Sequence, residues 1–174
     1  MKKVVFIIVV LFSTIQLIAQ QNSLDKLHHI IGDWSGTGTG FGNDTSIITA
    51  SYNFVMTNKY IEVKHESYFK PTEKNPKGDH HIDNGFISFD KIRNKIIYRQ
   101  FNNEGFINQY ILNDSLSNEN TLIFETEIIE NFMPGGKARF TINIISETEL
   151  ETIFDVSFPN KDYSCFGTNK LVKK

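Results

Sequence analysis

The sequence predicts an all-β protein: an antiparallel up-and-down β-barrel of about ten strands, with a short N-terminal helix closing one end. Three observations predict this fold. Apolar and polar residues alternate over most of the chain, as they do in half-buried strands. Turn-forming residues interrupt the alternation at nearly regular intervals. Beyond the first helical turn, no segment shows the 3.6-residue period of an amphipathic helix.

Residues 1–20 are predicted to be a secretory signal peptide, which leaves residues 21–174 as a single domain. Lys2 and Lys3 form the positively charged start, an apolar stretch follows, and Ala19 is a suitable last residue before cleavage. The apolar stretch is short for a transmembrane anchor. We therefore expect a secreted or periplasmic protein with no stable membrane span after cleavage.

Charge and cysteine content exclude several classes of protein. The chain has 18 basic and 20 acidic side chains, a formal net charge of −2, and loss of the signal peptide makes it more acidic. Nucleic-acid partners are not expected, because they require Lys and Arg clustered on one face. Cys165 is the single cysteine, so no internal disulfide can form. We expect Cys165 to be a small buried side chain.

A helical turn is predicted over residues 23–31, with Ser23 as its cap. Its apolar residues share one face, which we expect to plug one end of the barrel: Leu24, Leu27, Ile30 and Ile31.

The alternating segments that follow are the predicted strands of the barrel. They cover residues 34–41, 47–56, 59–69, 82–89, 94–101, 105–112, 120–129, 137–146, 148–158 and 163–173. In the third of these segments the alternation turns His65 inward, together with Ile61 and Val63.

The first strand places Trp34, Gly36, Gly38 and Gly40 on one face. With Trp34 directed inward, the three glycines would clear one wall of the interior and leave room for a ligand. The alternative is that these glycines permit sharp coiling where the barrel closes.

A hairpin over residues 96–111 contains the most informative polar residues. A turn centred on Asn103 and Glu104 would place Arg99 opposite Asn108, next to Tyr110. An arginine in such a setting inside the barrel would suit a carboxylate or another anion. The alternative is an outward Arg99 whose stem covers neighbouring side chains.

The connection over residues 70–81 lacks alternation and is a predicted loop, a candidate lid with His80 and His81 at its hinge. Asp79 and Asp83 flank these histidines, so the cluster has the residue types of a metal site. Adjacent histidines in a loop rich in Lys and Pro are usually solvated, and we expect no bound metal.

Four stretches carry a resemblance to known barrels of one class. LHHIIGDWSGTGTG resembles the opening of calycin (lipocalin-like) barrels, and its extended Gly-x-Trp-x-Gly-x-Gly-x-Gly resembles the nitrobindin-type haem-binding barrels. HIDNGFISFD, with His81, Asp83 and Gly85, is similar to that family's His-x-acid-x-Gly-aromatic strand. RQFNNEGFINQYIL and EIIENFMPGGKARFTI resemble uncharacterised bacterial relatives. The resemblance implies a ten-stranded barrel with a cavity for one small apolar or amphipathic ligand. It also implies a basic side chain from the last strand packed on Trp34, a role that alternation gives to Lys173.

Nitrobindins hold haem iron through a histidine near the C-terminus, and haem iron needs an axial donor. The final stretch, DYSCFGTNKLVKK, contains no histidine, since all five lie at positions 28, 29, 65, 80 and 81. We therefore expect no cofactor. Haem binding through His65 or His81 is the alternative.

The sequence thus predicts a barrel protein that binds a small hydrophobic or amphipathic ligand in its interior. The candidate ligand-binding residues are Trp34, Gly36, Gly38, Gly40, His65, His81, Arg99, Asn108 and Tyr110. One alternative is an enzyme, either haem-dependent or using His65 and Arg99 as an acid–base pair. No set of catalytic residues stands out, so the sequence favours a non-enzymatic role. The other is an interaction module whose interior is filled by its 15 Phe and 6 Tyr side chains.

Overall fold

The computed structural model describes residues 23–40, 45–73 and 75–174, and the expected signal peptide, residues 1–20, lies outside this part of the chain. Its strands are β1 (Gly32–Thr39), β2 (Thr45–Val55), β3 (Tyr60–Phe69), β4 (Asp79–Asp90), β5 (Lys95–Asn102), β6 (Ile107–Leu112), β7 (Thr121–Glu130), β8 (Lys137–Ser146), β9 (Glu149–Ser157) and β10 (Ser164–Lys173). Each predicted segment overlaps one of these strands, so the predicted strand pattern is confirmed.

The ten strands form one closed antiparallel barrel. Each strand pairs with the next along the chain, and β1 pairs with β10 to complete the ring. In this last pair Trp34 lies opposite Lys173, and Thr39 lies opposite Thr168. We call the end where β1 begins the closed end, and the end where β3 passes to β4 the open end. The predicted fold class, an up-and-down barrel, is confirmed.

A short helical segment covers the closed end, as predicted. It ends in the 3₁₀ turn His28–Ile30, and Leu24, Leu27 and Ile30 are fully buried against Trp34. The indole Nε1 of Trp34 donates a hydrogen bond to the carbonyl oxygen of Ile30 at 2.9 Å. This bond satisfies the one polar atom of a side chain that is otherwise surrounded by apolar groups.

The last strand completes the closed end. The Nζ atom of Lys173 lies 5.2 Å from the centroid of the Trp34 ring, which confirms the predicted cation–π contact. Residues of the strands nearest this end fill the interior above Trp34. Tyr52, Tyr98, Tyr110 and Phe124 are each at most 1% exposed, and the rings of Tyr98 and Tyr110 stack with centroids 5.5 Å apart.

The glycines of β1 do not clear a wall of the interior, contrary to the first of the two interpretations. A Cβ atom at Gly36 would overlap the backbone carbonyl of Lys170, and one at Gly38 would overlap the Asn169 side chain. Gly36 therefore serves the close approach of β10 to β1, in line with the coiling alternative, whereas Gly38 leaves room for the Asn169 side chain. Gly40, by contrast, lies just past the end of β1 and borders a cavity inside the barrel.

The hairpin of β5 and β6 is shifted by one residue from its predicted register. Gln100, not Arg99, lies opposite Asn108, and Tyr98 lies opposite Tyr110. Gly105, with φ of 91°, contributes a left-handed residue to the turn, and this extra residue accounts for the shift. The prediction of an inward Arg99 was wrong: its side chain is exposed and donates hydrogen bonds to Gln109 and Ser88 on the outer surface.

Two further expectations need correction. His80 and His81 belong to β4, where they pair with Tyr68 and Ser67 of β3, so they are not at the hinge of a loop. Cys165 is exposed rather than buried, because a bulge in β10 interrupts its pairing with β9 just after this residue. Within the described ranges, no helix is long and apolar enough to cross a membrane.

Candidate ligand-binding site

The open end of the barrel contains a cavity of about 380 Å³. All ten strands contribute to its walls. The interior is open here because several of the lining residues are small. At the closed end, the interior is filled by tyrosine, tryptophan and phenylalanine side chains. The small residues at the open end are Thr39, Gly40, Ser46, Ser67, Ala138 and Gly167. The barrel is therefore filled by side chains along only part of its length.

The cavity has two chemically distinct walls. The polar wall comes from β3 to β6 and the turn that joins β5 to β6: His65, Ser67, Asp79, His81, Asp83, Gln100, Asn102, Glu104 and Asn108. The apolar wall comes mainly from β7 to β10 and their connections: Ile129, Phe132, Ala138, Phe140, Phe154, Val156, Phe158 and Phe166. Such a cavity suits a molecule with one apolar and one polar side.

Four aromatic rings lie along the rim of the apolar wall, each in contact with the next. Phe106 meets Phe132 edge-on at 5.7 Å between centroids, and Phe132 lies 6.2 Å from Phe158. Phe158 in turn lies 6.0 Å from Phe166. These four residues, which we call the aromatic rim, come from three different connections and the start of β10. Flat apolar groups could stack against them.

His81 is the centre of an ionic cluster on the polar wall. Its Nε2 atom lies 2.9 Å from Oδ2 of Asp83, and its Nδ1 atom lies 2.7 Å from Oε1 of Glu104. Burial disfavours the charged ring, but the hydrogen bonds and charges of Asp83 and then Glu104 outweigh it and raise the pKa of His81 to about 9. Both ring nitrogens face carboxylates, so His81 is an imidazolium at neutral pH that donates to both.

His65 lies on the neighbouring strand, opposite Asp83, and has the opposite character. Its Nε2 atom is 2.6 Å from the hydroxyl oxygen of Tyr52, and its ring packs edge-on against Phe140 at 5.8 Å. Burial lowers the pKa of His65 to about 4, an effect that the Asp83 charge opposes and the His81 charge reinforces. His65 is therefore neutral at neutral pH. Burial, and then the Asp83 charge, raises the pKa of the Tyr52 hydroxyl far above its ordinary range.

A hydrogen-bonded layer of amides separates the cavity from the tyrosines beneath it. Oε1 of Gln100 accepts from Nδ2 of Asn108 at 2.9 Å and from the hydroxyl of Tyr110 at 3.0 Å. Gln100 and Asn108 border the cavity, whereas Tyr110 lies below them. The Tyr98 hydroxyl, buried beside this layer, has no hydrogen-bond partner among the described residues.

The structure brings together four of the nine residues predicted to bind a ligand: Gly40, His65, His81 and Asn108 border the cavity. Tyr110 reaches it only through Gln100. Trp34, Gly36 and Gly38 lie outside the cavity lining, and Arg99 is on the outer surface. Their predicted positions in a cavity wall are therefore wrong, because β10 occupies the space beside the glycines and the hairpin register turns Arg99 outward.

Several lining residues were missed in the sequence. Gln100 was placed on the opposite face of the hairpin from Asn108, an error that follows from the register. Glu104 was assigned only to a turn, although its side chain reaches His81. Phe132 and Phe166 lie beyond or near a strand end, where alternation gives no direction. No group of three or more His, Cys, Asp or Glu side chains in the described ranges is arranged to hold a metal ion.

The fold is that of a closed, ten-stranded, antiparallel up-and-down β-barrel. The crystal structure of Rv2717c from M. tuberculosis is similar, with a TM-score of 0.60 and 12% sequence identity over 87% of this chain and 97% of that chain. The barrel EF1p2_mFAP2b bound to DFHBI has a TM-score of 0.42 and 13% identity over 86% of this chain and 97% of that chain. A redesigned β-barrel, b11L5F_LGL, has a TM-score of 0.39 and 14% identity over 84% and 93%. Comparisons with protein-family models and with curated proteins give no match.

Proposed function

We propose that the protein binds one small amphipathic organic molecule in the cavity at the open end of the barrel. The observation that carries this proposal is the division of the interior: the closed end is filled, whereas the open end holds a cavity of about 380 Å³ with a polar wall and an aromatic wall. This volume lies in the range of small-molecule sites, which are usually concave and lined by apolar groups with a few placed polar ones.

Calorimetric titration with tryptophol, a neutral indole alcohol, tests the proposal. We expect binding of one molecule per protein, with its indole against the aromatic rim. Ala138→Phe and Ser67→Leu each place a large side chain in the cavity and should weaken binding at least about tenfold. Thr49→Phe, an exposed position on β2, is the matched control and should bind as the wild type does. Wild-type protein that takes up no tryptophol, or cavity variants that bind it normally, would overturn the proposal.

We further propose that haem is not the ligand, in contrast to the nitrobindin-type barrels that the sequence resembles. Three of the four ring nitrogens of His65 and His81 already have hydrogen-bond partners, and the inward positions of β10 carry no histidine. These residues do not fit an axial ligand to haem iron. Titration with hemin should give no stoichiometric complex with a sharp Soret band. A complex that is lost on His65→Gln would contradict this expectation.

A secreted or periplasmic location remains our proposal for the full chain. It rests on the charge and apolar pattern of residues 1–20. Intact mass spectrometry of the protein recovered from the periplasm or medium of an expressing Gram-negative host should show a chain cleaved near Ala19. Recovery of the uncleaved chain in the cytoplasm alone would contradict it.

A further inference from the structure

We infer that the ligand is an amphipathic amine, whose positively charged head group binds the polar wall while its apolar body packs on the aromatic rim. The inference rests on the proposed function and names the chemical class of ligand that the cavity selects. It follows from the charges and free acceptors that border the cavity.

The charged groups that border the cavity are predominantly acidic. Asp79, Asp83 and Glu104 contribute carboxylates, His81 is the one cation, and His65 is neutral at neutral pH. No Lys or Arg of the described ranges borders the cavity. The local charge therefore favours a cationic guest and opposes an anionic one.

His81 does not use all the hydrogen-bond acceptor sites of its two carboxylate partners. It binds Oδ2 of Asp83 and Oε1 of Glu104, and the second oxygen of each carboxylate takes part in no hydrogen bond with the described residues. A carboxylate accepts several hydrogen bonds, so each can receive an ammonium group while it holds His81. The Asp83 side chain is 14% exposed and that of Glu104 is 43% exposed, which places one acceptor deep in the cavity and one near its mouth.

A buried amide supplies an independent acceptor. Asn108 is only 5% exposed and borders the cavity. Its Nδ2 atom donates to Gln100, so Oδ1 is left as an acceptor, and it receives no hydrogen bond from the residues that the structure describes. Oδ1 is not among the buried atoms that lack a partner, so it remains accessible from the cavity. An ammonium or amine N–H from a ligand would satisfy it.

The opposite wall accounts for the rest of the ligand. The aromatic rim and the Phe140 and Phe154 side chains present apolar surface and ring faces but no charged group. A flat apolar body can pack there while the head group remains on the polar wall. A cation can also approach the ring faces favourably, which adds to the preference for an amine.

Three probes with a common indole body test the inference: tryptamine, tryptophol and indoleacetate. Their head groups are a cation, a neutral hydroxyl and an anion at pH 7. We expect calorimetry to give tryptamine a dissociation constant at least about tenfold below that of tryptophol, and indoleacetate the weakest binding. Rising salt concentration should reduce the preference for tryptamine, because Glu104 is partly exposed.

Variants that neutralise one cavity carboxylate test whether the preference for tryptamine arises in the cavity. Glu104→Gln should reduce the ratio of tryptamine to tryptophol affinity about threefold, and Asp83→Asn should reduce it further. Glu119→Gln makes the same charge change in an exposed connection at the closed end and should leave the ratio unchanged. Melting curves confirm that each variant is folded before binding is measured.

The outcomes separate this inference from the proposed function. If tryptophol binds but tryptamine binds no tighter, or if indoleacetate binds tightest, the amine preference is wrong while the small-molecule site stands. An unchanged affinity ratio in both Glu104→Gln and Asp83→Asn also rejects it. If none of the three probes binds, both proposals are overturned.

Discussion

His65 and His81 lie on neighbouring strands of one cavity wall, yet they differ in charge at neutral pH. His81 has two carboxylate partners, whereas His65 has a tyrosine hydroxyl and an aromatic ring beside it. The polar wall therefore combines a fixed cation with a neutral ring that can donate or accept a hydrogen bond. These opposite shifts of pKa imply opposite dependences of stability on pH.

For His81, the pKa in the folded state is about 9, above its ordinary value of 6.5. The folded protein binds the proton more tightly than the unfolded chain, so this stabilisation is complete below pH 6.5 and is lost as the pH rises towards 9. We expect the difference in free energy of unfolding between wild type and His81→Gln to shrink over that interval in urea titrations. A difference that stays constant from pH 6 to pH 9 would contradict the assignment of an imidazolium.

For His65 the sign is reversed, because burial lowers its pKa from 6.5 to about 4 in the folded state. Its contribution is complete above pH 6.5 and is lost as the pH falls towards 4, on the order of 3 kcal/mol if the whole shift is expressed. His65→Gln should therefore weaken the loss of stability in acid. Nuclear magnetic resonance titration of the imidazole protons provides the direct measurement, and a His65 pKa near 6.5 would refute this account.

At the scale of strands, β1 shows how two nearby glycines differ in role. Gly36 faces the backbone of β10, while Gly40 lies past the strand end and faces the side chain of Phe69. The alternating glycines thus form part of the β1–β10 pairing at one position and part of the cavity lining at another.

Alanine substitutions distinguish these roles. Gly36→Ala would place its Cβ against the Lys170 carbonyl, which cannot move without opening the pairing of β1 with β10, and should lower the free energy of unfolding by at least about 2 kcal/mol. Gly40→Ala meets the tip of the Phe69 ring at 3.1 Å, which can shift, and should cost less than about 1 kcal/mol. Urea denaturation measures both. Equal losses of unfolding free energy in the two variants would show that the pairing of β1 with β10 does not determine the cost of the substitution.

Alternation and turn residues were sufficient to predict the strands, because a half-buried strand leaves a local pattern in the sequence. They were not sufficient for the site, because its geometry depends on register. One left-handed residue, Gly105, moved Arg99 to the outside and brought Gln100 opposite Asn108. Glu104 and Phe132 lie in connections, where no periodicity indicates the direction of a side chain. The pairing of His81 with Glu104, 23 positions apart, exists only in the folded barrel.

On the scale of the whole molecule, structural closure and the candidate site occupy opposite ends. Trp34, the helical segment and Lys173 belong to the closed end, whereas the cavity and both histidines of the polar wall lie towards the open end. Changes at the closed end should therefore alter stability with little effect on ligand affinity.

Lys173→Met tests this separation. The substitution keeps an apolar stem over Trp34 but removes the cation. Because Lys173 is exposed, the substitution should lower the free energy of unfolding by only about 0.5–1 kcal/mol. Lys170→Met, at an exposed position of the same strand, is the matched control and should have a smaller effect. Tryptophol affinity should be the same for both variants and the wild type. A large loss of affinity in Lys173→Met alone would contradict the separation.

The pairing of β1 with β10 also has a consequence for the order in which the barrel assembles. Every other strand pairs with its neighbour in sequence, so these contacts can form one after another as the chain becomes free to fold from its N-terminus. Until β10 emerges, the outer edges of β1 and β9 have no partner, and open edges invite pairing with another chain. A chain truncated after residue 162 should therefore form larger assemblies than the full chain in size-exclusion chromatography, and adding a synthetic peptide of residues 163–174 should restore the elution volume of the full chain. The incomplete barrel is thus most vulnerable to intermolecular association just before its last strand is in place.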